Sequence, residues 1–117
     1  MMDQAFSAPD PLLPSSLFTV LIHYVRPMEE VEKVVAEHRF YLDGFFRSGV
    51  LLASGPLIPR TGGVLWLKAG SRAEVERIVQ ADPYSRAAVA TFQIFEFEPK
   101  KLSPGLGSCP GTGFGPD

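Results

Sequence analysis

The chain has 117 residues, of which 45% are hydrophobic, and this is enough for one globular domain with a core of its own. Its 11 basic and 13 acidic side chains give a net charge of −2, and the basic ones are spread along the sequence rather than clustered. That distribution predicts no basic patch that could bind nucleic acid. The single cysteine, Cys109, cannot form an intrachain disulfide and has no neighbouring ligand with which to hold a structural zinc ion.

Apolar runs in the sequence are short. The longest, such as residues 17–22, cannot span a bilayer, because a membrane helix needs about 20 consecutive apolar residues. The N-terminus also lacks the basic-then-apolar layout of a secretion signal. We therefore expect a cytoplasmic protein without a membrane partner.

The structured part of the chain is predicted to follow a leader, residues 1–16, which has prolines and serines but no periodicity. Residues 17–25 are rich in β-branched and aromatic side chains and predict a central strand. A helix is predicted from the acidic turn after Pro27 to about Arg47, with Gly49 as its stop. One side of this helix carries a stripe at steps of four and three: Val31, Val35, His38, Leu42 and Phe45.

The second half of the domain contains three segments with strand composition and one further helix. The helix begins with a capping box, Ser71 with Glu74 three residues later, and must end by Ala81 because Asp82 precedes a proline. Strands are predicted over residues 50–54, 64–68 and 90–98, with Gly55-Pro56 ending the first of them and a loop over residues 59–63.

The order β-α-β-β-α-β predicts an α+β, ferredoxin-like fold, in which a four-stranded antiparallel sheet carries both helices on one face. The other face is then left without a cover. The alternation of the last strand places Phe95 and Phe97 on that face, and a monomer rarely exposes a large apolar patch. We therefore expect the chain to form a homodimer by packing sheet on sheet.

His38 is the residue that most suggests chemistry, because it lies on the apolar side of the first helix and therefore points toward the core. It is either a core histidine satisfied by a backbone carbonyl or a catalytic base. Asp82, in the turn Asp82-Pro83-Tyr84, is a candidate partner, although an aspartate before proline also serves as a turn or cap residue. A carboxylate bonded to one ring nitrogen fixes the tautomer and leaves the other nitrogen to act as acid or base near neutral pH.

The other polar and aromatic residues give weaker indications of a functional role. Ser54 is either a strand-end cap or a hydrogen-bond donor in a site, and Tyr84 and Trp66 are core or pocket-wall aromatics. His23 lies on a strand without a partner, and two histidines without a cysteine or carboxylate cluster predict no metal site. Gly62-Gly63 indicates a hairpin, because no helix with a phosphate-binding lysine follows it. Three arginines are expected to be solvated charges: Arg26, Arg39 and Arg86.

Several short motifs occur in one order along residues 17–100: Glu29-Glu30-Val31 after Pro27, His38, Gly49, Ser54-Gly55-Pro56, Gly62-Gly63, Asp82-Pro83-Tyr84 and Phe97-Glu98-Pro99. In this order and spacing the chain resembles the YCII-related (YciI-like) family. The resemblance implies a dimeric ferredoxin-like α+β barrel with a His/Asp dyad, here His38 and Asp82, in a pocket. It further implies that Ser54, Gly55 and Pro56 line the same site.

The resemblance and the residues together predict a small-molecule enzyme whose dyad transfers a proton without a cofactor, in an isomerisation or elimination on a small ring compound. Tyr84 is expected to contact the substrate. The alternative is a non-catalytic ligand-binding or accessory dimeric module in which the pair His38/Asp82 is structural. Solvent access to His38 distinguishes the enzyme from the non-catalytic module. A histidine sealed among apolar side chains favours the structural interpretation, and an open pocket favours a site.

Residues 101–117 form a Gly/Pro-rich tail outside the resemblance. Ordering such a segment costs roughly 1–2 kcal/mol per residue, so it must be held by contacts. We expect its apolar anchors to be Leu102, Leu106 and Phe114. The backbone is expected to follow a sheet edge or the mouth of the His38 pocket.

Overall fold

The computed structural model describes residues 16–106. The predicted leader up to residue 15 and the predicted anchor Phe114 lie outside the described residues. The elements follow one another as β1 (Leu17–Tyr24), α1 (Met28–Glu32), α2 (Val35–Ser48), β2 (Leu51–Pro56), β3 (Gly62–Lys68), α3 (Arg72–Ala81), α4 (Pro83–Arg86) and β4 (Ala90–Phe97).

The four strands form one antiparallel sheet in the order β2-β3-β1-β4. Strand β1 lies between β3 and β4. Its alternate side chains, Phe18, Val20 and Ile22, are buried in the core on the helical face. This order and the helices confirm the predicted ferredoxin-like α+β fold. Among residues 16–106, no helix combines the length and hydrophobicity needed to cross a membrane.

The single helix predicted after Pro27 is wrong, because the chain forms two helices there. The backbone N–H of Val34 donates to the carbonyl of Val31 at 2.9 Å, a bond to the third residue back that tightens the turn between α1 and α2. Helical bonding resumes when the N–H of His38 donates to the carbonyl of Val34 at 3.0 Å. Val31 and His38 are nevertheless both buried, so the predicted stripe continues across the break.

The turn predicted at Asp82 is the start of a further helix, the one-turn α4. Pro83 stands in its first turn, where the missing N–H of proline has no helical partner to lose. The predicted capping box of α3 is present in half, because the N–H of Glu74 donates to Ser71 Oγ at 3.2 Å. The carboxylate of Glu74 accepts from the N–H of Gly70 instead of from that of Ser71.

The β2–β3 hairpin is longer than predicted on both sides. Gly55 and Pro56 belong to β2 instead of ending it, and Gly62-Gly63 begins β3 instead of closing the loop. The connecting loop is therefore residues 57–61. At Gly62 a Cβ atom would overlap the carbonyl oxygen of Ile22, so only glycine allows β3 to approach β1 so closely.

The sheet face that carries no helix is called here the outer face, and it exposes three large aromatic side chains. Trp66 is 46% exposed, Phe95 50% and Phe97 49%. They are neighbours across the sheet, since Thr19 of β1 pairs with Trp66 on one side and with Phe95 on the other. At one end of this face the predicted anchors of the tail, Leu102 and Leu106, line an apolar cavity of about 260 Å³ together with Trp66, Phe97 and Leu17.

Candidate functional site

His38 and Asp82 meet although 44 residues separate them in sequence. His38 lies on α2, and Asp82 lies between α3 and α4, which packs against α2. The distance from His38 Nδ1 is 2.9 Å to Oδ1 of Asp82 and 3.1 Å to Oδ2. The predicted contact is thus present, with Asp82 only 1% exposed and His38 only 9%.

Asp82 also caps α4. Its Oδ1 accepts the backbone N–H of Tyr84 at 2.8 Å, so the cap role and the histidine contact that the sequence offers as alternatives occur together. An ionised carboxylate can only accept, so with Asp82 ionised the proton between the two groups lies on Nδ1 of His38. In that tautomer of the neutral imidazole, Nε2 is the unprotonated, accepting nitrogen.

Tyr84 forms a wall against the imidazole. Its ring stacks on that of His38 with centroids 3.8 Å apart and planes only 7° from parallel, and Tyr24 meets Tyr84 edge-on at 5.9 Å. Burial raises the pKa of the Tyr84 hydroxyl well above its ordinary value, and the neighbouring, hydrogen-bonded Tyr24 raises it further. Tyr84 therefore stays protonated at physiological pH and cannot serve as the base.

Tyr41 is a supporting residue that the sequence did not single out. Its hydroxyl donates to the carbonyl of Ile78 at 2.7 Å and so ties α2 to α3 near the end that carries Asp82. Burial raises the pKa of Tyr41, with a further contribution from the negative charge of Asp82. The only sequence signal for this role is spacing. Tyr41 follows His38 by three residues and so lies beside it on the same helical face.

A small cavity adjoins the imidazole. Its volume is about 30 Å³, room for about two water molecules, and it opens to solvent. Asp82 lies behind His38 and does not reach it, whereas all the other predicted site residues line it: His38, Ser54, Gly55, Pro56 and Tyr84.

Two arginines that sequence reasoning did not place in a site also line this cavity. Arg39, expected to be solvated, is indeed exposed but borders the cavity beside His38. Arg60 reaches it from the β2–β3 loop, and a hydrogen bond with Tyr24 raises the pKa of its guanidinium. Nothing in the sequence around Arg60 marks it, because its position depends on the path of the loop.

Metal ligation has no support in the part of the chain that the structure describes. Over residues 16–106, no three histidine, cysteine, aspartate or glutamate side chains come together as a metal would require. His38 and Asp82 are thus a pair without a third such group beside them.

Two solved structures match the chain, and the first of them has a similar fold. The 5-chloro-2-hydroxyhydroquinone dehydrochlorinase TftG from Burkholderia phenoliruptrix, in complex with 2,5-dihydroxybenzoquinone, is 22% identical with a TM-score of 0.58. The match covers 70% of this chain and 93% of TftG. SnoaB, a cofactor-independent oxygenase from Streptomyces nogalater, is 14% identical with a TM-score of 0.44, over 77% of this chain and 98% of SnoaB.

The family is established by sequence. Among curated proteins, none matches the chain significantly. The YCII-related domain, in contrast, matches residues 17–98, which run from the first residue of β1 to the residue after β4. That match spans most of the chain and contains the whole sheet together with the His38/Asp82 pair, and we conclude that the protein belongs to the YCII-related family.

Proposed function

We propose that this protein is an enzyme that moves a proton on a small ring compound without a cofactor, in an isomerisation or an elimination. One observation carries the proposal. The imidazole of His38 is bonded through Nδ1 to a buried carboxylate, while the same ring borders a cavity open to solvent. A histidine that served only the core would have no need of the second feature.

The chemistry assigns one task to each member of the pair. Nε2 of His38 removes a proton from a carbon or hydroxyl of the substrate, and Asp82 stabilises the imidazolium that forms. In an isomerisation the imidazolium returns the proton to another atom of the substrate. In an elimination, the electrons of the broken C–H or O–H bond expel a leaving anion, and the proton passes from the imidazolium to solvent.

The size of the cavity limits how a ring can bind. An apolar cavity that encloses benzene measures about 150 Å³, several times the volume beside His38. A ring substrate would therefore present one edge to the imidazole and rest the remainder at the mouth. Ser54, Gly55 and Pro56 of β2 line the cavity, and we expect them to contact that remainder.

TftG guides the choice of substrates. By its name it removes hydrogen chloride from 5-chloro-2-hydroxyhydroquinone, and its structure is a complex with 2,5-dihydroxybenzoquinone. For the present chain this supports chlorinated and hydroxylated aromatics as first substrates for an elimination, with small lactones as candidates for isomerisation.

A second function is favoured by the double role of Asp82. Because one carboxylate both caps α4 and holds His38, the pair would stabilise the contact between α2 and α4 even in a non-catalytic ligand-binding module.

In either case we propose a homodimer, since Trp66, Phe95 and Phe97 form an exposed apolar patch.

Turnover of a substrate panel separates the two functions. The wild type, His38→Ala and the control His23→Ala, which alters an exposed histidine on β1, would be assayed on small lactones and on hydroxylated and chlorinated aromatics. We expect turnover to fall by about 10²–10⁴-fold in His38→Ala and to persist in His23→Ala. Equal turnover in all three proteins would contradict the role of His38, and binding without turnover would favour the non-catalytic module.

A further inference from the structure

We infer that the ligand of the His38 cavity is an anion, a small carboxylate, phenolate or enolate, and that Arg60 is the residue that selects it. This inference rests on the proposed function, because it takes the cavity beside His38 as the substrate site. It adds the charge of the substrate and names a specificity-determining residue.

Arg60 is held at the cavity mouth by its loop. The ends of the loop over residues 57–61 are fixed, since the N–H of Leu57 donates to the carbonyl of Gly62 at 2.8 Å and that of Tyr24 donates to the carbonyl of Thr61 at 3.1 Å. The side chain is exposed yet lines the cavity, as the side chain of Tyr24 does. The backbone of the loop therefore positions Arg60 beside the cavity.

The charges around the cavity are of one sign. Arg39 and Arg60 line it, and its lining includes no carboxylate. Asp82 lies behind His38 and is already bonded to His38 and to the N–H of Tyr84. The charge of Glu32 contributes to raising the pKa of Arg60, but Glu32 does not line the cavity. Within residues 16–106, neither arginine forms an ion pair with a carboxylate. Two guanidinium groups beside a concave site, with no carboxylate in that lining, attract an anion.

Arg60 is a better selector than Arg39 because its loop is bonded to the strand that supports the rings beside the imidazole. Thr61, the next residue, accepts from the backbone N–H of Tyr24 at 3.1 Å, Tyr24 meets Tyr84 edge-on, and Tyr84 stacks on His38. Arg39 lies about 100° from His38 around α2. The planar guanidinium also matches the two oxygens of a carboxylate, or the delocalised charge of an enolate.

The position of Arg60 suits the proton transfer itself. When Nε2 of His38 removes a proton next to an oxygen-bearing carbon, negative charge develops on that oxygen. A guanidinium already at the mouth stabilises this charge without reorganisation of solvent. An anionic substrate places its charged oxygen at Arg60 and its reacting edge in the small cavity.

Benzoate and benzamide test this assignment, because the two probes have nearly the same shape and differ in charge. Binding would be followed through the imidazole resonances of His38 in ¹H–¹⁵N spectra of the full-length wild type, Arg60→Gln, Arg60→Lys and the control Arg77→Gln, which alters an exposed residue on α3. We expect benzoate to shift these resonances and to bind about tenfold more tightly than benzamide. Arg60→Gln should weaken benzoate about tenfold and leave benzamide unchanged, since a charge-assisted hydrogen bond is lost. Arg60→Lys should retain part of the affinity, and Arg77→Gln all of it.

Three results would overturn the inference: equal affinity for the two probes, unchanged benzoate affinity in Arg60→Gln, or no effect of benzoate on the His38 resonances. The proposed function fails by a different measurement, the turnover of His38→Ala. Turnover of an anionic substrate that is unchanged in Arg60→Gln and lost in His38→Ala would refute the anion selection alone.

Discussion

The two faces of the sheet differ in how completely the chain buries the apolar side chains on them. On the helical face, Phe18 and Val20 are at most 1% exposed, and the buried polar side chains of His38 and Asp82 are bonded to each other. On the outer face, Trp66 and Phe95 are about half exposed. The same strand, β1, contributes to both faces through alternate residues.

The difference separates the requirements of the site from those of the assembly. The pair and its supporting aromatics come together within one chain, because α2, α3 and α4 all belong to the helical face. The outer face needs another surface before its aromatics leave water. Substitutions on the helical face should therefore change stability and chemistry, whereas those on the outer face should change association.

Asp82→Ala should have the largest effect, because it removes a buried group with two roles. It leaves the N–H of Tyr84 and Nδ1 of His38 without their acceptor and deletes the cap of α4. We expect the free energy of unfolding to fall by about 2–4 kcal/mol, from a lost cap and an unsatisfied buried donor. Urea denaturation of Asp82→Ala and of the exposed control Asp43→Ala measures it. A loss below about 0.5 kcal/mol, typical of surface substitutions, would contradict the stabilising role.

Phe95→Lys should act on the other face and dissociate the proposed dimer without unfolding the subunit. A lysine in the centre of a buried apolar contact would lose its solvation and weaken association by at least about 2 kcal/mol, or thirtyfold. Sedimentation velocity at micromolar concentration would compare it with Phe40→Lys, which changes another exposed phenylalanine, on α2 and away from the outer face. A monomeric wild type, or a dimer unaffected by Phe95→Lys, would show that the outer face is not the interface.

Tyr84→Phe should change the pH dependence of stability on the helical face, with a smaller effect. Because burial raises the pKa of Tyr84, the folded state keeps a proton that the unfolded state releases above about pH 10. The free energy of unfolding must therefore fall as pH rises through that range, and it should be independent of this group at lower pH. Tyr84→Phe should flatten the alkaline fall, as measured by thermal melts between pH 8 and 11. An unchanged slope would mean that the hydroxyl titrates as it does in water.

The architecture could be predicted because its signals are local. Alternation in the last strand, the cap at Ser71 and the proline after Asp82 each fix an element or its end within one or two residues. The contact of His38 with Asp82 then needs only the ferredoxin-like order, which packs the end of α3 against α2. The break between α1 and α2 escaped prediction because Lys33 and Val34 are both compatible with a helix.

The surroundings of the pair were less predictable. Arg60 lies on a loop, and neither its direction nor its bond to Tyr24 follows from any periodicity in the sequence. The stacking of Tyr84 on His38 depends on α4, which the sequence presented as a turn. Side chains positioned by a neighbouring element in this way need the tertiary structure before their role can be seen.

The tautomer of His38 tests most directly whether Asp82 prepares the imidazole as a base. Long-range ¹H–¹⁵N correlation spectra of the free protein distinguish the two ring nitrogens, and the exposed His23 serves as an internal reference. We expect neutral His38 to be protonated at Nδ1 and bare at Nε2, and this preference to weaken in Asp82→Ala. A neutral His38 protonated mainly at Nε2 in the wild type would contradict it, because the nitrogen available to the cavity could not then accept a proton.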